Sequence, residues 1–243
     1  MVLWSRPGGG AWLRLPDRVA GLAPPGAPLG PAWVRRAEPW PDLAEGAAVV
    51  VDDEGLRTAD GTLVLDRRRA LAWLGPLPDE GAVSTAKTRV LLTDGLAAGR
   101  PSPLAGPPWS ETVEPAVAAI GRTGPLEALK TVARALGGLG PGLTPAGDDA
   151  LSGILFGVRA MGGATVEAAL RSVARSVRTG DIGATVLADA AAGFHIEPVH
   201  DLVAAAAAGD AATVAAAASR LDRYGSSSGA DIAYGLRLVF TRR

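Results

Sequence analysis

Residues 138–153 read Gly-Leu-Gly-Pro-Gly-Leu-Thr-Pro-Ala-Gly-Asp-Asp-Ala-Leu-Ser-Gly, a segment with few structural options. Four glycines and two prolines fall within 138–147. Glycine leaves the backbone unconstrained and proline removes an N–H donor, so neither a helix nor a central strand can run through this stretch. It must be a loop. Just behind it, Leu151, Ile154, Leu155, Val158 and Met161 recur at helical spacing, which predicts a helix with one buried stripe. Asp148 and Asp149 in its first turn suit the positive end of the helix macrodipole, and Thr144 or Asp148 is placed to cap it.

A second stretch is built to the same pattern. Residues 226–236 (Ser-Ser-Ser-Gly-Ala-Asp-Ile-Ala-Tyr-Gly-Leu) align without a gap on 144–154 (Thr-Pro-Ala-Gly-Asp-Asp-Ala-Leu-Ser-Gly-Ile). Ser226 falls on Thr144, Gly229 on Gly147, Asp231 on Asp149, Gly235 on Gly153 and Leu236 on Ile154. The plain alternative is two unrelated helix starts that share ordinary capping residues. The functional reading is that each copy offers hydroxyls and free N–H groups at a helix start, an arrangement receptive to anions. The carboxylate just inside requires the ligand to carry an N–H group or a metal as well. Asp149 and Asp231 are the candidate catalytic residues, and also the candidates for holding a cation such as Mg²⁺. Gly142, Thr144, Gly147, Asp148, Ser226, Ser227, Ser228 and Gly229 are the candidate substrate-binding residues. The expectation rests on the two stretches meeting in space.

The chain has 243 residues, a formal charge of −1 and scattered basic residues, which gives no electrostatic footprint for nucleic acid. Cysteine is absent, so disulfides, thiolate metal sites and cysteine nucleophiles are excluded. No leader pattern opens the sequence and no apolar run reaches membrane-spanning length without glycine or charge, so a cytoplasmic protein without a membrane partner is expected. Lys87 and Lys130 are the only lysines.

Along the chain, residues 1–45 are rich in proline, glycine and tryptophan, which reads as short strands and loops anchored by aromatics. Residues 47–65 predict a three-stranded antiparallel meander, with turns at Asp53-Glu54-Gly55 and Asp60-Gly61. One or two helical turns are expected over 67–74 and a helix over 82–98. A proline-glycine break at 99–109 suggests a boundary, with all six tryptophans at or before Trp109. Beyond it, helices are expected at 111–121 and 125–137, the latter with Leu126, Leu129, Ala133 and Leu136 inward. Others are expected from Thr165 as cap to 178, over 182–192, from Pro198, over 211–222, and after the second special loop. The fold expected is α+β: a small antiparallel β-rich region over 1–100, then a mostly helical region over 101–243 that carries both glycine-rich loops.

Other candidates carry less. His195 and His200 lie five apart around Pro198, not at the four-residue spacing of paired ligands on a helix, so a turn or surface role is expected. Asp52, Asp53 and Glu54 read as turn residues, and Arg67, Arg68 and Arg69 as a solvated face. No serine-nucleophile elbow, phosphate-binding P-loop or dinucleotide fingerprint is present.

The sequence Gly140-Pro141-Gly142-Leu143-Thr144-Pro145-Ala146-Gly147-Asp148-Asp149, followed downstream by Ser227-Ser228-Gly229-Ala230-Asp231, resembles the AllH family. The similarity runs over roughly 120–240, including Ala191-Ala192-Gly193 and Glu197-Pro198, and covers the tryptophan-rich front only loosely. It implies a transferase subunit that works with companion proteins in purine and allantoin catabolism. The reaction implied is carbamoyl exchange between oxalurate and phosphate, giving oxamate and carbamoyl phosphate, and hence a small anionic carbamoyl, phosphate or carboxylate ligand. A non-catalytic assembly subunit and a stand-alone Mg²⁺-dependent enzyme on a small phosphorylated or carboxylated metabolite are the alternatives. Ala146 stands where the family usually has serine, and Ala230 where it often has a bulky residue.

Overall fold

Strand formers broken by glycine, proline and aspartate turns build the front of the chain, and alanine- and leucine-rich periodic runs build the rest. The computed structural model describes residues 1–5, 10–16, 18–36, 39–66, 75–120 and 125–241. The expected turns at 67–74 lie outside these residues. The protein is α+β, and it divides into two compact units, Met1–Gly75 and Pro76–Arg243.

The first unit holds two sheets. Strands β1 (Val2–Ser5), β2 (Ala11–Arg14) and β3 (Val19–Ala23) pair antiparallel, and β4 (Trp33–Arg35) joins β3 in parallel. Strands β5 (Val49–Val51), β6 (Gly55–Thr58) and β7 (Leu63–Asp66) form the expected antiparallel meander. Alternation in β2 turns Ala11 and Leu13 inward. They join Val2, Leu22, Trp40, Leu43, Leu56 and Val64 in one small core. The Trp40 indole N–H donates to the Ala23 carbonyl at 2.7 Å, so the ring is buried without an unsatisfied donor. Trp12 and Trp33 meet edge to face at 4.9 Å, and Gly21 is the residue that lets the Trp33 ring lie on the sheet.

The second unit is helical: α1 (Glu80–Val83), α2 (Ala86–Ala97), α3 (Ser110–Ile120), α4 (Pro125–Leu136), α5 (Ala146–Gly162), α6 (Glu167–Ser176), α7 (Asp181–Ala192), α8 (Glu197–Ala208), α9 (Ala211–Asp222) and α10 (Ser228–Phe240). Proline opens α4 and glycines in left-handed conformation close α7 and α8, at Gly193 (φ 91°) and Gly209 (φ 80°). In α4, Leu126 is exposed, while Ala128 and Val132 line the core beside Leu129, Ala133 and Leu136. Thr165 does not cap α6. Its hydroxyl donates back to the Gly162 carbonyl within the short 3₁₀ turn Gly163–Val166 that precedes the helix.

Helix α5 departs furthest from expectation. Rather than burying one stripe, it is buried on every side from Gly147 to Gly157, with Val158 and Met161 half-exposed at its far end. A helix apolar all round belongs inside, and α4, α6, α7 and α10 pack around this one. Leu151, Ile154, Leu155 and Phe156 are essentially inaccessible, and burial of each contributes roughly 2 kcal/mol. With α6 it makes a 31-residue stretch, Ala146–Ser176, long and apolar enough by composition to cross a membrane. The break at Gly163 (φ 60°) and the helices packed around its first half are those of a core helix.

Candidate functional site

The first glycine-rich loop joins α4 to α5. Gly138, Gly140 and Gly142 take φ of 71°, 103° and 110°, conformations that side chains other than glycine's rarely adopt. The loop folds back so that the Gly147 N–H donates to the Leu139 carbonyl at 2.8 Å. A Cβ on Gly147 would stand 1.9 Å from the Leu136 carbonyl oxygen, so only glycine fits the first turn of α5.

Neither Thr144 nor Asp148 caps α5; Pro145 occupies the cap position. Asp148 is fully buried and accepts from the Gly138 N–H at 2.8 Å and from the Thr179 hydroxyl. It thereby ties the loop to the start of α7, where a Cβ on Gly183 would run into its carboxylate. Burial raises its pKa and the two hydrogen bonds oppose the rise. With both oxygens engaged inside the protein, Asp148 is a fastening rather than a free ligand. The Thr144 hydroxyl instead donates to Asp149 Oδ2 at 3.2 Å.

The second loop joins α9 to α10 and repeats the device. Gly229 donates to the Tyr224 carbonyl at 2.9 Å, and a Cβ on it would meet the Leu221 carbonyl oxygen at 1.8 Å. In each copy a glycine just inside the helix lies against the last turn of the preceding helix. Arg100 reaches this loop from the 99–109 break: its N–H donates to Asp222 at 2.7 Å and its guanidinium to the exposed Ser226 carbonyl at 2.9 Å. Ser227 occupies the cap position of α10 without a side-chain capping bond, and Gly142 is exposed beside Thr144.

The two copies meet through α5 and α10. A Cβ on Gly153 would meet the Ile232 carbonyl oxygen at 2.4 Å and the Leu236 nitrogen at 3.1 Å. One on Gly235 would meet the Ala150 carbonyl oxygen at 1.9 Å and the Ile154 nitrogen at 3.1 Å. Ala150 aligns with Ile232 and Ile154 with Leu236, so each contact has its mirror in the other copy. The two helix starts are therefore related by a local two-fold axis, with glycine backbones in direct contact across it.

This brings Asp149 and Asp231 close enough to feel each other's charge. Both are buried, at 3% and 0% exposure. Burial pushes the Asp149 carboxyl up to about 7; hydroxyls of Ser228 and Thr144 oppose this, and the Asp231 and Asp148 charges add to it. Burial likewise raises Asp231, against the Ser102 and Ser227 hydroxyls. The half-buried Tyr224 phenol is pushed up by desolvation and by the Asp149 charge. Thr144, Asp149, Ser227, Ser228 and Asp231 thus share one locality. Asp231 Oδ2 is buried with no hydrogen-bond partner among the described residues.

Ser102 belongs to this locality and was not expected from sequence. It is buried, its hydroxyl donates to Asp231 Oδ1, and it accepts from the Leu104 N–H at 3.0 Å as the cap of a 3₁₀ turn. A serine before proline signals a turn, but nothing local signals a partner in α10. By internal alignment Ser228, which serves Asp149, corresponds to Ala146. Where Asp149 draws a hydroxyl from the opposite copy, Asp231 draws one from outside the repeat, Ser102, beside Ser227 of its own copy.

The histidines correct the expectation of a surface role. His195 follows the Gly193 turn, but both rings are buried, at 4% and 3% exposure, edge-on to Phe156. His195 Nδ1 accepts from the Ile196 N–H at 2.9 Å, which leaves the proton on Nε2 to donate to Ser152 Oγ at 3.0 Å. Ser152 in turn donates to the Asp149 carbonyl at 2.7 Å. His200 Nε2 accepts from the His195 N–H at 3.0 Å, so its Nδ1–H points to the Pro76 carbonyl at 3.3 Å. Burial pushes the two rings down to about 3 and about 4, so both are neutral at pH 7. They buttress the backbone of the first turn of α5.

Fold and site together define an α+β protein whose helical unit joins two acidic, hydroxyl-rich loops across a local two-fold axis. Residues 136–240, which span both loops and the helices between them, match the family described as oxamate carbamoyltransferase subunit AllH. No curated protein and no solved structure matches the chain.

Proposed function

We propose that the chain is a subunit of a carbamoyltransferase that moves a carbamoyl group between phosphate and oxamate or a related amide or carboxylate. The observation that carries this reading is the reciprocal glycine packing, which joins two carboxylates and a set of hydroxyls in one locality with Asp231 Oδ2 unsatisfied. Oxalurate and carbamoyl phosphate each have an anionic end and an amide end. Hydroxyls of Thr144, Ser226, Ser227 and Ser228, with the N–H of the exposed Gly142, suit the anion, and a buried carboxylate suits the amide N–H; Gly147 and Gly229 serve instead to shape the two loops, their N–H groups being bonded to the Leu139 and Tyr224 carbonyls.

In the phosphorolytic direction a phosphate oxygen attacks the ureido carbonyl carbon, the C–N bond breaks, and the departing oxamate nitrogen takes up a proton. Asp149, with its carboxyl near 7, is suited to give that proton and to take it back in reverse. Positioning and charge stabilisation supply the remainder without a covalent nucleophile. Among the described residues no three His, Asp or Glu side chains gather to hold a metal. A Mg²⁺ ion, where the reaction uses one, would be held by Asp149 and Asp231 and would supply charge stabilisation in place of the Asp149 proton.

The burial of both aspartates favours one other reading, a non-catalytic assembly subunit whose loops serve only to pack the helices. Phosphate release from carbamoyl phosphate with oxamate, measured with and without the co-encoded proteins, separates the two. Asp149→Asn and Asp231→Asn are each expected to lower turnover about tenfold or more, equivalent to about 1.4 kcal/mol of transition-state stabilisation. Their melting temperatures are not expected to fall. Wild-type turnover in either variant, alongside stoichiometric co-purification with a companion, supports the assembly reading instead.

A further inference from the structure

A cleft of about 500 Å³ opens between α4 and α6, with neither Asp149 nor Asp231 in its lining, which is Lys130, Arg134, Arg178, Ser172 and Ser176 with Ala133 and Gly137. Its size is that of a small-molecule site. Gly137 is packed tightly against the α6–α7 connection, where a Cβ would stand 2.5 Å from Val177 Cγ1.

The charge of the lining is what a packing account leaves unexplained. Lys130 and Arg134 stand one turn apart on α4, a like-charge pair that costs an isolated helix a few tenths of a kcal/mol. Arg178, in the connection from α6 to α7, adds a third cation to the same cleft. One carboxylate answers them, Glu127, which takes Lys130 at 2.8 Å. Arg134 hydrogen-bonds the neutral Thr131 hydroxyl at 3.4 Å and shares Glu127 with Lys130 only as a more distant charge, so three cations face one carboxylate among the described residues. Ser172 and Ser176, one turn apart on α6, line the same space, with the Ser176 hydroxyl donating to the Val173 carbonyl at 2.7 Å and free to turn to a ligand only by leaving it.

We propose that this cleft is a second ligand site, built for a small molecule that carries a phosphoryl group or an equivalent dianion. Guanidinium groups bind phosphoryl oxygens through paired N–H donors, a lysine ammonium adds a point charge, and serine hydroxyls complete the shell. The volume exceeds what a lone phosphate fills, so the anion is expected to be one end of a larger body. The proposal does not depend on the reading of Asp149 and Asp231.

Calorimetric titration with inorganic pyrophosphate tests it. Wild type is expected to bind, with affinity falling as salt is added. Arg178→Ala and the double variant Lys130→Ala/Arg134→Ala are each expected to weaken binding about tenfold or more. Ser176→Glu, which adds a negative charge to the cleft wall, is expected to abolish binding, and unchanged melting curves show that the variants are folded. No binding by the wild-type chain, or equal binding by wild type and the basic-residue variants, overturns the site. Binding lost in Asp149→Asn but kept in Arg178→Ala assigns the anion to the paired loops and overturns the cleft.

Discussion

Gly153 and Gly235 lie against each other's helices with no side chain between: Gly153 against the Ile232 carbonyl and Gly235 against that of Ala150. The pairing fixes the distance between the starts of α5 and α10, and with it the approach of Asp149 to Asp231.

Replacing either glycine by alanine forces the helices apart. A Cβ 1.9 Å from the Ala150 oxygen is a harder clash than one 2.4 Å from the Ile232 oxygen, so Gly235→Ala is expected to be the more damaging. Overpacking of this kind costs roughly 1–3 kcal/mol or more, on the order of 5–10 °C in Tm for a chain of this size. Gly180→Ala, with no atom within 4 Å of the added carbon, is the control expected to melt as wild type. Thermal melts of the three variants check the order.

Asp149→Asn is expected to change stability in a pH-dependent way. The folded carboxyl titrates near 7, above its unfolded value of 3.8, so the folded state holds the proton more tightly. Its contribution is fully present below about pH 4 and is lost as pH rises towards 7. Asparagine removes that loss. The variant should match wild type near pH 4 and exceed it by a few kcal/mol at most at pH 8, read from denaturant midpoints.

The histidine pair works in the opposite sense. With folded values near 3 and 4 against 6.5 unfolded, His195 and His200 must be charged on unfolding in mild acid. Their stabilising contribution is present above about pH 6.5 and is lost as pH falls towards 4. His200→Gln keeps an acceptor for the His195 N–H and should reduce the slope of stability against pH by up to about one proton between pH 4 and 6.5. Midpoints measured across that range in both proteins give the difference.

Ser102→Ala leaves Asp231 Oδ1 without its donor and the Leu104 N–H without its acceptor. A loss of roughly 1–3 kcal/mol is expected, with a further rise in the Asp231 pKa. Ser102→Thr keeps the hydroxyl and should recover part of both, as measured by chemical denaturation and by NMR titration of the Asp231 carboxyl.

Much of the frame was legible in the sequence because its signals are local. Asp-Gly turns mark the β5–β7 meander, and proline-in, glycine-out punctuation marks the ends of the helices. The match between 144–154 and 226–236 was visible as a pattern, and the reciprocal contacts of Gly153 and Gly235 show those stretches in direct contact. What stayed hidden depends on partners distant in sequence. Thr144 looks like a cap but bonds a carboxylate, because Pro145 takes the cap position and leaves its hydroxyl free for Asp149. His195 and His200 lack any motif, and only the fold reveals that Ser152, Pro76 and Phe156 surround them. Ser102 sits in a proline-glycine break with no period to read, and its partner lies in the last helix.

Alanine at 146 opposite serine at 228 means that the two matched helix starts share one mechanical plan but differ in polarity. A molecule lying along the axis would meet a different face on each side, so it could sit one way round and not the other. Symmetry of backbone with asymmetry of chemistry is how a repeated element acquires direction, and here that direction turns on which hydroxyls each carboxylate receives, Thr144 and Ser228 at Asp149 against Ser227 and Ser102 at Asp231.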